Sequence, residues 1–177
     1  MSSKIKQLVS DLFQKDEKKV IKTIVLLEGD GDASVIHSLC ELYLENKSEK
    51  INGKLIEFLS KLNDSSAMKE MIEVIRDEKF AKVRQDLLNT MWQSKLDYSP
   101  FLADFVAIAC DGSFLEAFEC MTIIDNLDGP FEESQTLESQ LYLKEYLETE
   151  KGKDKQRDEI VSDIAVLIKD FDRAIQE

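Results

Sequence analysis

The apolar residues of this 177-residue chain recur at spacings of three and four along almost its whole length. Such spacings put side chains on one face of an α-helix, whereas a strand places them at every second position. The pattern therefore predicts an all-α protein without strands. Two stripes are especially clear, Ile5, Leu8, Val9 and Leu12 at one end and Ile160, Ile164, Leu167, Ile168, Phe171 and Ile175 at the other.

Eight more helices are predicted between these stripes, near 17–28, 33–46, 49–62, 66–76, 80–94, 100–110, 114–127 and 135–150. Polar residues at the breaks favour helix starts: Asp32, Asp64 with Ser65, and Ser99 as N-caps, and Ser113 with Glu116 as a capping box. The charged run EKGKDKQRDE at 150–159 is predicted to be an exposed loop before the terminal helix. In total we expect about ten helices.

These helices pair at nearly regular intervals. If the helices that begin near 17, 49, 80 and 114 open successive pairs, the openings are 32, 31 and 34 residues apart. Two-helix repeats have periods of this size. The spacing predicts about five antiparallel helix pairs in a single repeat domain that covers residues 1–177.

One unit carries a more specific pattern, RDEKFAKVRQDLLNTMW at 76–92. Asp77 follows one helix, a short turn comes next, and Val83-Arg84 opens the following helix with Leu87 and Met91 four and eight residues beyond the valine. This unit resembles a HEAT repeat, with DYSPFLADFVAIACDG as its second helix. The resemblance implies a right-handed α-α superhelix, a HEAT-like solenoid, in which Asp77 and Arg84 bond between neighbouring repeats.

The cysteines and the first residues of the chain indicate in which compartment of the cell the protein acts. Three cysteines, an odd number inside helical patterns, favour reduced thiols over a secreted disulfide framework. The first residues, MSSKIKQLVSDLF, lack the continuous apolar core of a signal peptide, and no run is long enough to span a bilayer. We therefore expect a soluble, cytoplasmic protein that does not act in a membrane.

Charge narrows the choice of partner. The net charge is −13, and residues 111–150 alone hold eleven acidic side chains and one lysine. Nucleic-acid phosphates require clustered lysine and arginine, so this distribution argues against nucleic-acid binding. It favours a protein partner with a basic or neutral surface.

Candidate chemistry is sparse. His37 is the only histidine, and Cys40 and Glu41 share its helical face, which could begin a metal site. The apolar neighbours favour a core position instead, so we predict no metal and no cofactor. Glu116 and Glu119 could form an acid–base pair, but a negative helix start explains both. No catalytic residue is predicted.

The HEAT-like resemblance implies a non-enzymatic scaffold or adaptor that binds a protein partner through a curved helical surface. The acidic helix at 135–150 is the candidate surface, with Glu138, Tyr142, Glu145, Tyr146 and Glu148 as partner-binding residues. The alternative is an enzyme, since some HEAT-like proteins act on DNA bases or are tetrapyrrole lyase subunits. A DNA-acting enzyme would require Lys15, Lys18, Lys19 and Lys22 to gather on one inner surface.

Overall fold

The computed structural model describes residues 2–176, apart from the side chains of Asp30 and Gln176. Within that range the chain forms ten α-helices, and no residue lies in a strand. The all-α prediction is confirmed. The helices are α1 (Ser3–Asp11), α2 (Glu17–Asp30), α3 (Ile36–Glu45), α4 (Glu49–Ser60), α5 (Ser66–Arg76), α6 (Arg84–Gln93), α7 (Leu102–Asp111), α8 (Phe114–Asp125), α9 (Glu133–Thr149) and α10 (Lys155–Gln176).

The chain divides into two compact units, unit 1 up to Leu96 and unit 2 from Asp97 onward. One repeat array and two separate domains would both give such a division. The prediction of a single domain therefore stays a prediction.

In unit 1, alternate helices along the chain are neighbours in space. α4 packs between α2 and α6, α3 packs against α5, and α1 lies on α2. The helices thus form two layers, with the even-numbered helices in one layer and α3 and α5 in the other. Fully buried side chains from both layers fill the core, among them Ile24, Leu39, Leu55, Met71, Ile75, Phe80 and Leu87.

Unit 2 repeats this arrangement with four helices. α7 packs against α9, α8 packs against α10, and both α7 and α10 contact α8 and α9. α7 is the most enclosed of the four, since seven of its ten residues are buried. The core includes Phe105, Val106, Ala109, Cys120, Ile124 and Ile164.

Consecutive helices pair in a different phase from the predicted one. The consecutive helices that pack closely within a unit are α1–α2, α3–α4 and α5–α6 in unit 1, and α7–α8 and α9–α10 in unit 2. These pairs begin at residues 3, 36, 66, 102 and 133, which are 33, 30, 36 and 31 residues apart. The two-helix spacing is kept, but each pair begins one helix earlier. Spacing alone does not reveal which of its two chain neighbours a helix packs against.

Helix starts show which local predictions hold. The capping box is confirmed: Ser113 N–H donates to the Glu116 carboxylate (2.7 Å), and Glu116 N–H donates to the Ser113 hydroxyl (3.3 Å). Asp32 and Asp64 accept backbone N–H bonds two residues on, as predicted, whereas the Ser65 side chain makes no capping bond. Three helices follow a 3-10 turn, at Ala33–Val35, Glu78–Phe80 and Ser99–Phe101, so α3, α6 and α7 begin two to four residues later than predicted.

Two predictions about chain breaks are wrong. Ser99 is not an N-cap, because its hydroxyl donates to the Asp97 carboxylate (2.5 Å) and accepts from Gly129 N–H (2.8 Å). The run at 150–159 is only half loop, since α10 begins at Lys155. Asp154 caps that start by accepting the N–H groups of Gln156 (3.0 Å) and Arg157 (3.2 Å), which lets a helix begin before its apolar stripe does.

Candidate partner-binding surface

Helix α9 exposes leucines and buries small polar side chains. Leu137 and Leu141 are 50% and 67% exposed, whereas Thr136 and Ser139 are fully buried. The buried hydroxyls cost little, because Thr136 donates to Glu133 O (3.0 Å) and Ser139 donates to Gln135 O (2.7 Å) within the helix. Exposed leucines one helical turn apart on the side opposite the buried residues form an apolar strip that the fold itself does not use.

Acidic side chains border this strip. Glu138, Glu145 and Glu148 are exposed on the same side of α9 as the two leucines. Half-buried Tyr142 lies beside them, with its hydroxyl 3.2 Å from a Glu138 carboxylate oxygen. We call these six residues, Leu137, Glu138, Leu141, Tyr142, Glu145 and Glu148, the α9 surface. It includes four of the five residues predicted for partner binding, and their partner-binding role stays a prediction.

Tyr146, the fifth predicted residue, lies on the opposite side of α9 and is only 3% exposed. Its hydroxyl donates to Asp158 Oδ1 (2.6 Å), and the Arg157 guanidinium lies 5.3 Å from its ring centre. Burial, and then the bond to Asp158, raises the pKa of Tyr146 to about 12. The side chain joins α9 to α10 and is unavailable to a partner, so we leave it out of the α9 surface.

The start of α10 holds α9 in place. Arg157 donates to Gly112 O (2.6 Å) and to the Glu150 carboxylate (3.1 Å). Asp158 accepts from Tyr146 and from Gly152 N–H (2.9 Å) in the loop between the helices. The Tyr146 bond, and then the Gly152 bond, lowers the pKa of the Asp158 carboxyl. These bonds tie the C-terminal end of α9 to the start of α10 and to Gly112.

A small cavity of about 160 Å³ opens between α9 and α10. Leu143, Val161 and Ala165 line it, Leu147 stands at 56% exposure on its α9 side, and Lys151 and Asp158 supply polar groups. Its volume would hold one side chain rather than a drug-sized molecule. The cavity therefore offers a place for a single apolar side chain at the junction of α9 and α10, on the side of α9 that faces away from Leu141.

The residues assigned to an inter-repeat ladder lie at the α5–α6 junction of unit 1. Asp77 accepts Lys79 N–H (2.8 Å) and caps the 3-10 turn. Arg84 is buried and donates to Ile75 O (2.7 Å) and to the Glu78 carboxylate (2.7 Å). Arg84 thus ties the start of α6 to the end of α5. The inter-repeat role of both residues stays a prediction.

The side chain of His37 is 47% exposed, so the core position predicted for it is wrong. His37 meets the Phe80 ring edge-on at 5.4 Å, and its Nδ1 lies 3.7 Å from the Glu41 carboxylate. Burial raises the pKa of the Cys40 thiol to about 12, and burial is also the main cause of the rise to about 12 at Cys110. Across residues 2–176, no group of three or more histidine, cysteine or carboxylate side chains is arranged to hold a metal ion.

A DNA-acting enzyme would require four lysines on one inner surface, namely Lys15, Lys18, Lys19 and Lys22. All four are exposed, and they lie just before α2 and in its first two turns.

None of the described helices is both long and apolar enough to cross a membrane.

Sequence reasoning missed the two leucines that define the apolar strip. Both lie in the predicted helix 135–150, but the prediction of partner-binding residues did not include them. The available signal was the pair Thr136 and Ser139, which share a face with Leu143 and leave Leu137 and Leu141 on the other side.

No family model, no curated protein and no solved structure matches this chain.

Proposed function

We propose that this protein is a non-enzymatic, cytoplasmic scaffold or adaptor that binds a basic protein segment through the α9 surface. The observation that carries the proposal is the pair of exposed leucines bordered by Glu138, Glu145 and Glu148. A contiguous apolar strip with a charged rim is typical of protein interaction sites.

We further propose that the helices form a HEAT-like, right-handed solenoid. The stacking of alternate helices supports this architecture: α2, α4 and α6 form one row in unit 1, and α7–α9 and α8–α10 form two rows in unit 2. Two-helix repeats stack in this way, because each helix packs on its counterpart in the next repeat. Such arrays present extended faces, which suits the binding of a protein segment.

Charge selects the class of partner. Residues 111–150, which include all of α9, contain eleven acidic side chains and one lysine, Lys144, which pairs with Glu148 (4.0 Å). The negative electrostatic field of this region would attract a basic segment. Glu138, Glu145 and Glu148 at the edge of the apolar strip would raise the association rate. Leu137 and Leu141 would then supply the apolar contact that slows dissociation. An amphipathic basic helix, with apolar residues one turn apart, matches both features.

The test is affinity capture of partners from a host lysate at low and moderate salt, with three forms of the chain. The first is native, and the second carries Glu138→Lys, Glu145→Lys and Glu148→Lys. The third carries Glu45→Lys, Glu49→Lys and Glu73→Lys, three exposed residues of unit 1 that produce the same change in net charge. We expect the native and third forms to retain one basic protein, and the second to retain it about tenfold less or not at all.

A second pair of variants separates the apolar contact from the charges. Leu137→Ser with Leu141→Ser should weaken retention at both salt concentrations, because the apolar contact is not screened. The matched control is Val25→Ser with Leu26→Ser, which removes two exposed apolar side chains from α2. Equal retention by all five forms would show that the α9 surface is not the binding site. Co-purification of nucleic acid or a tetrapyrrole, with no protein, would favour the enzyme alternative.

A further inference from the structure

Unit 1 contains a larger cavity of about 320 Å³, and none of its lining residues belongs to the α9 surface. It opens where the end of α2 and the turn before α3 meet the end of α4 and the start of α5. Its volume is at the lower end of the range that small-molecule sites occupy. A molecule of about ten non-hydrogen atoms would fit.

The inner lining is apolar. Leu27, Val35 and Ile36 are each 1% exposed, and the Phe58 and Ala67 side chains are also buried. These residues come from four helices and one 3-10 turn, so the lining is part of the unit 1 core. A benzyl or short alkyl group placed here would leave water and gain close packing.

The outer lining is negative. It carries three carboxylates, Glu28, Asp32 and Asp64, and one ammonium group, Lys61. Lys54 pairs with Glu28 (3.2 Å), and Lys61 pairs with Glu57 outside the cavity. The four lining charges sum to −2, so the opening attracts a cation and repels an anion.

Asp32 and Asp64 hold fixed orientations. Each accepts a backbone N–H through Oδ1, from Ser34 (3.0 Å) and from Ser66 (2.9 Å). Hydrogen bonding to Ser34 lowers the pKa of Asp32, and hydrogen bonding to Ser66 lowers the pKa of Asp64. Both carboxylates are therefore charged at neutral pH. Each has a second oxygen that could accept from a ligand.

Gly31 is part of the cavity wall, between the apolar inner lining and the negative outer lining. Its N–H donates to Leu27 O (2.9 Å) as the chain leaves α2. A Cβ added at this position would lie 2.6 Å from Leu27 O and 3.4 Å from a Val35 methyl group. Only glycine lets the backbone turn this closely beside Leu27, and the turn brings Asp32 to the opening.

We propose that this cavity binds a small amphiphilic cation, with its apolar group against Leu27, Ile36 and Phe58 and its ammonium group between Asp32 and Asp64. The apolar lining and the net negative opening together select this class. A neutral apolar molecule would use only the first feature. A carboxylate of the same size would meet repulsion from the second.

The experiment compares two probes of matched shape, 2-phenylethylamine and 3-phenylpropanoate, each titrated into the full chain and followed by backbone NMR. We expect saturable shifts at Leu27, Ile36 and Ala67 with the amine. The carboxylate should produce them only at concentrations about tenfold higher or not at all. The amine should also bind more weakly as salt is added.

Three asparagine variants locate the charge requirement. Asp32→Asn and Asp64→Asn keep a capping side chain but remove one carboxylate each, and we expect either to weaken amine binding about two- to fivefold. Asp16→Asn is the matched control, since Asp16 caps α2 in the same unit and does not line the cavity. Equal binding of the two probes, equal weakening by Asp16→Asn, or absence of saturable shifts would each overturn the proposal.

Discussion

Unit 1 and unit 2 differ sharply in charge although their helices stack alike. Residues 1–96 hold sixteen acidic and sixteen basic side chains, whereas residues 97–177 hold twenty acidic and seven basic ones. The whole net charge of −13 therefore belongs to unit 2. A similar packing of alternate helices is reached with two different surfaces, so the excess of acid is not a requirement of the fold.

The two units also differ in how far their basic side chains can neutralise their acidic ones. In unit 1, lysine and arginine pair with acids on other elements, as in Lys50–Glu17 (3.6 Å) and Lys54–Glu28 (3.2 Å). In unit 2, seven cations cannot neutralise twenty carboxylates. Self-repulsion of this kind lowers stability, and a basic partner would relieve it. The two units therefore differ in surface chemistry, since the cations of unit 1 equal its acids in number, whereas unit 2 keeps an excess of thirteen acidic side chains over basic ones.

The largest expected effect on stability is that of replacing Arg84, a buried side chain that ties α6 to α5 in unit 1. Arg84→Ala would leave Ile75 O without its 2.7 Å donor in a buried position. We expect the free energy of unfolding to fall by about 2–3 kcal/mol, measured by urea denaturation. The control is Lys82→Ala, an exposed neighbour that should change it by less than about 0.5 kcal/mol. Equal effects would contradict the structural role of Arg84.

Two glycines should respond to alanine with opposite signs. Gly152, in the α9–α10 loop, has a φ of +91° and open space around it, so Gly152→Ala should cost about 1–2 kcal/mol through the backbone alone. Gly53 lies in the middle of α4, also in open space. Gly53→Ala should stabilise by about 0.5–1 kcal/mol. The same denaturation measurement decides both, and a stabilising Gly152→Ala would contradict the loop geometry.

Tyr146 and Tyr142 test which side of α9 is structural. Tyr146→Phe removes a buried hydroxyl that donates to Asp158, and we expect it to lower the free energy of unfolding by about 1 kcal/mol. Tyr142→Phe removes a half-buried hydroxyl beside Glu138 and should change it by a few tenths of a kcal/mol. If Tyr142→Phe were the more damaging variant, the assignment of the two sides would be reversed.

Lowering the pH should weaken the hydrogen bond between Tyr146 and Asp158. The folded pKa of Asp158 lies below its unfolded value, so its contribution to stability is complete above about pH 5. That contribution is lost as the pH falls towards the folded pKa. Urea denaturation between about pH 6 and pH 3 should therefore show a shallower decline for Tyr146→Phe than for the native chain. Parallel curves would rule out this linkage.

The smallest effect is that of salt on the two units. Raising sodium chloride from about 0.05 to about 0.5 M shortens the range of charge repulsion to a few ångströms. We expect amide hydrogen exchange in α9 and α10 to slow by a small factor, with little change in α4 and α5. Slowing of equal size in both units would remove the distinction between them.

Helical content and several helix starts could be predicted because they depend on local patterns. The Ser113–Glu116 capping box and the Asp32 and Asp64 caps require only residues within three positions. The partner of each helix could not be predicted in the same way. A helix such as α8 is apolar on several sides, so its sequence does not distinguish packing against α7 from packing against α9.

The candidate surface was predictable only in part, for a related reason. The excess of acid on α9 is a property of composition and was visible at Glu138, Glu145 and Glu148. The side on which Tyr146 and the leucines lie depends on tertiary packing, since α9 buries Thr136 and Ser139 in place of Leu137 and Leu141. A hydrophobic pattern assigns leucine to the core and threonine to the surface, which is the reverse of what α9 does.

The most direct test of the proposed function is methyl NMR of leucine-labelled chain on addition of the basic protein that it retains. Leu137 and Leu141 are exposed and should shift or broaden strongly, whereas Leu55 and Leu88, fully buried in unit 1, should not change. Changes centred on the methyl groups of those two leucines would establish the α9 surface as the docking site. Changes confined to other leucines, with Leu137 and Leu141 unaffected, would contradict it.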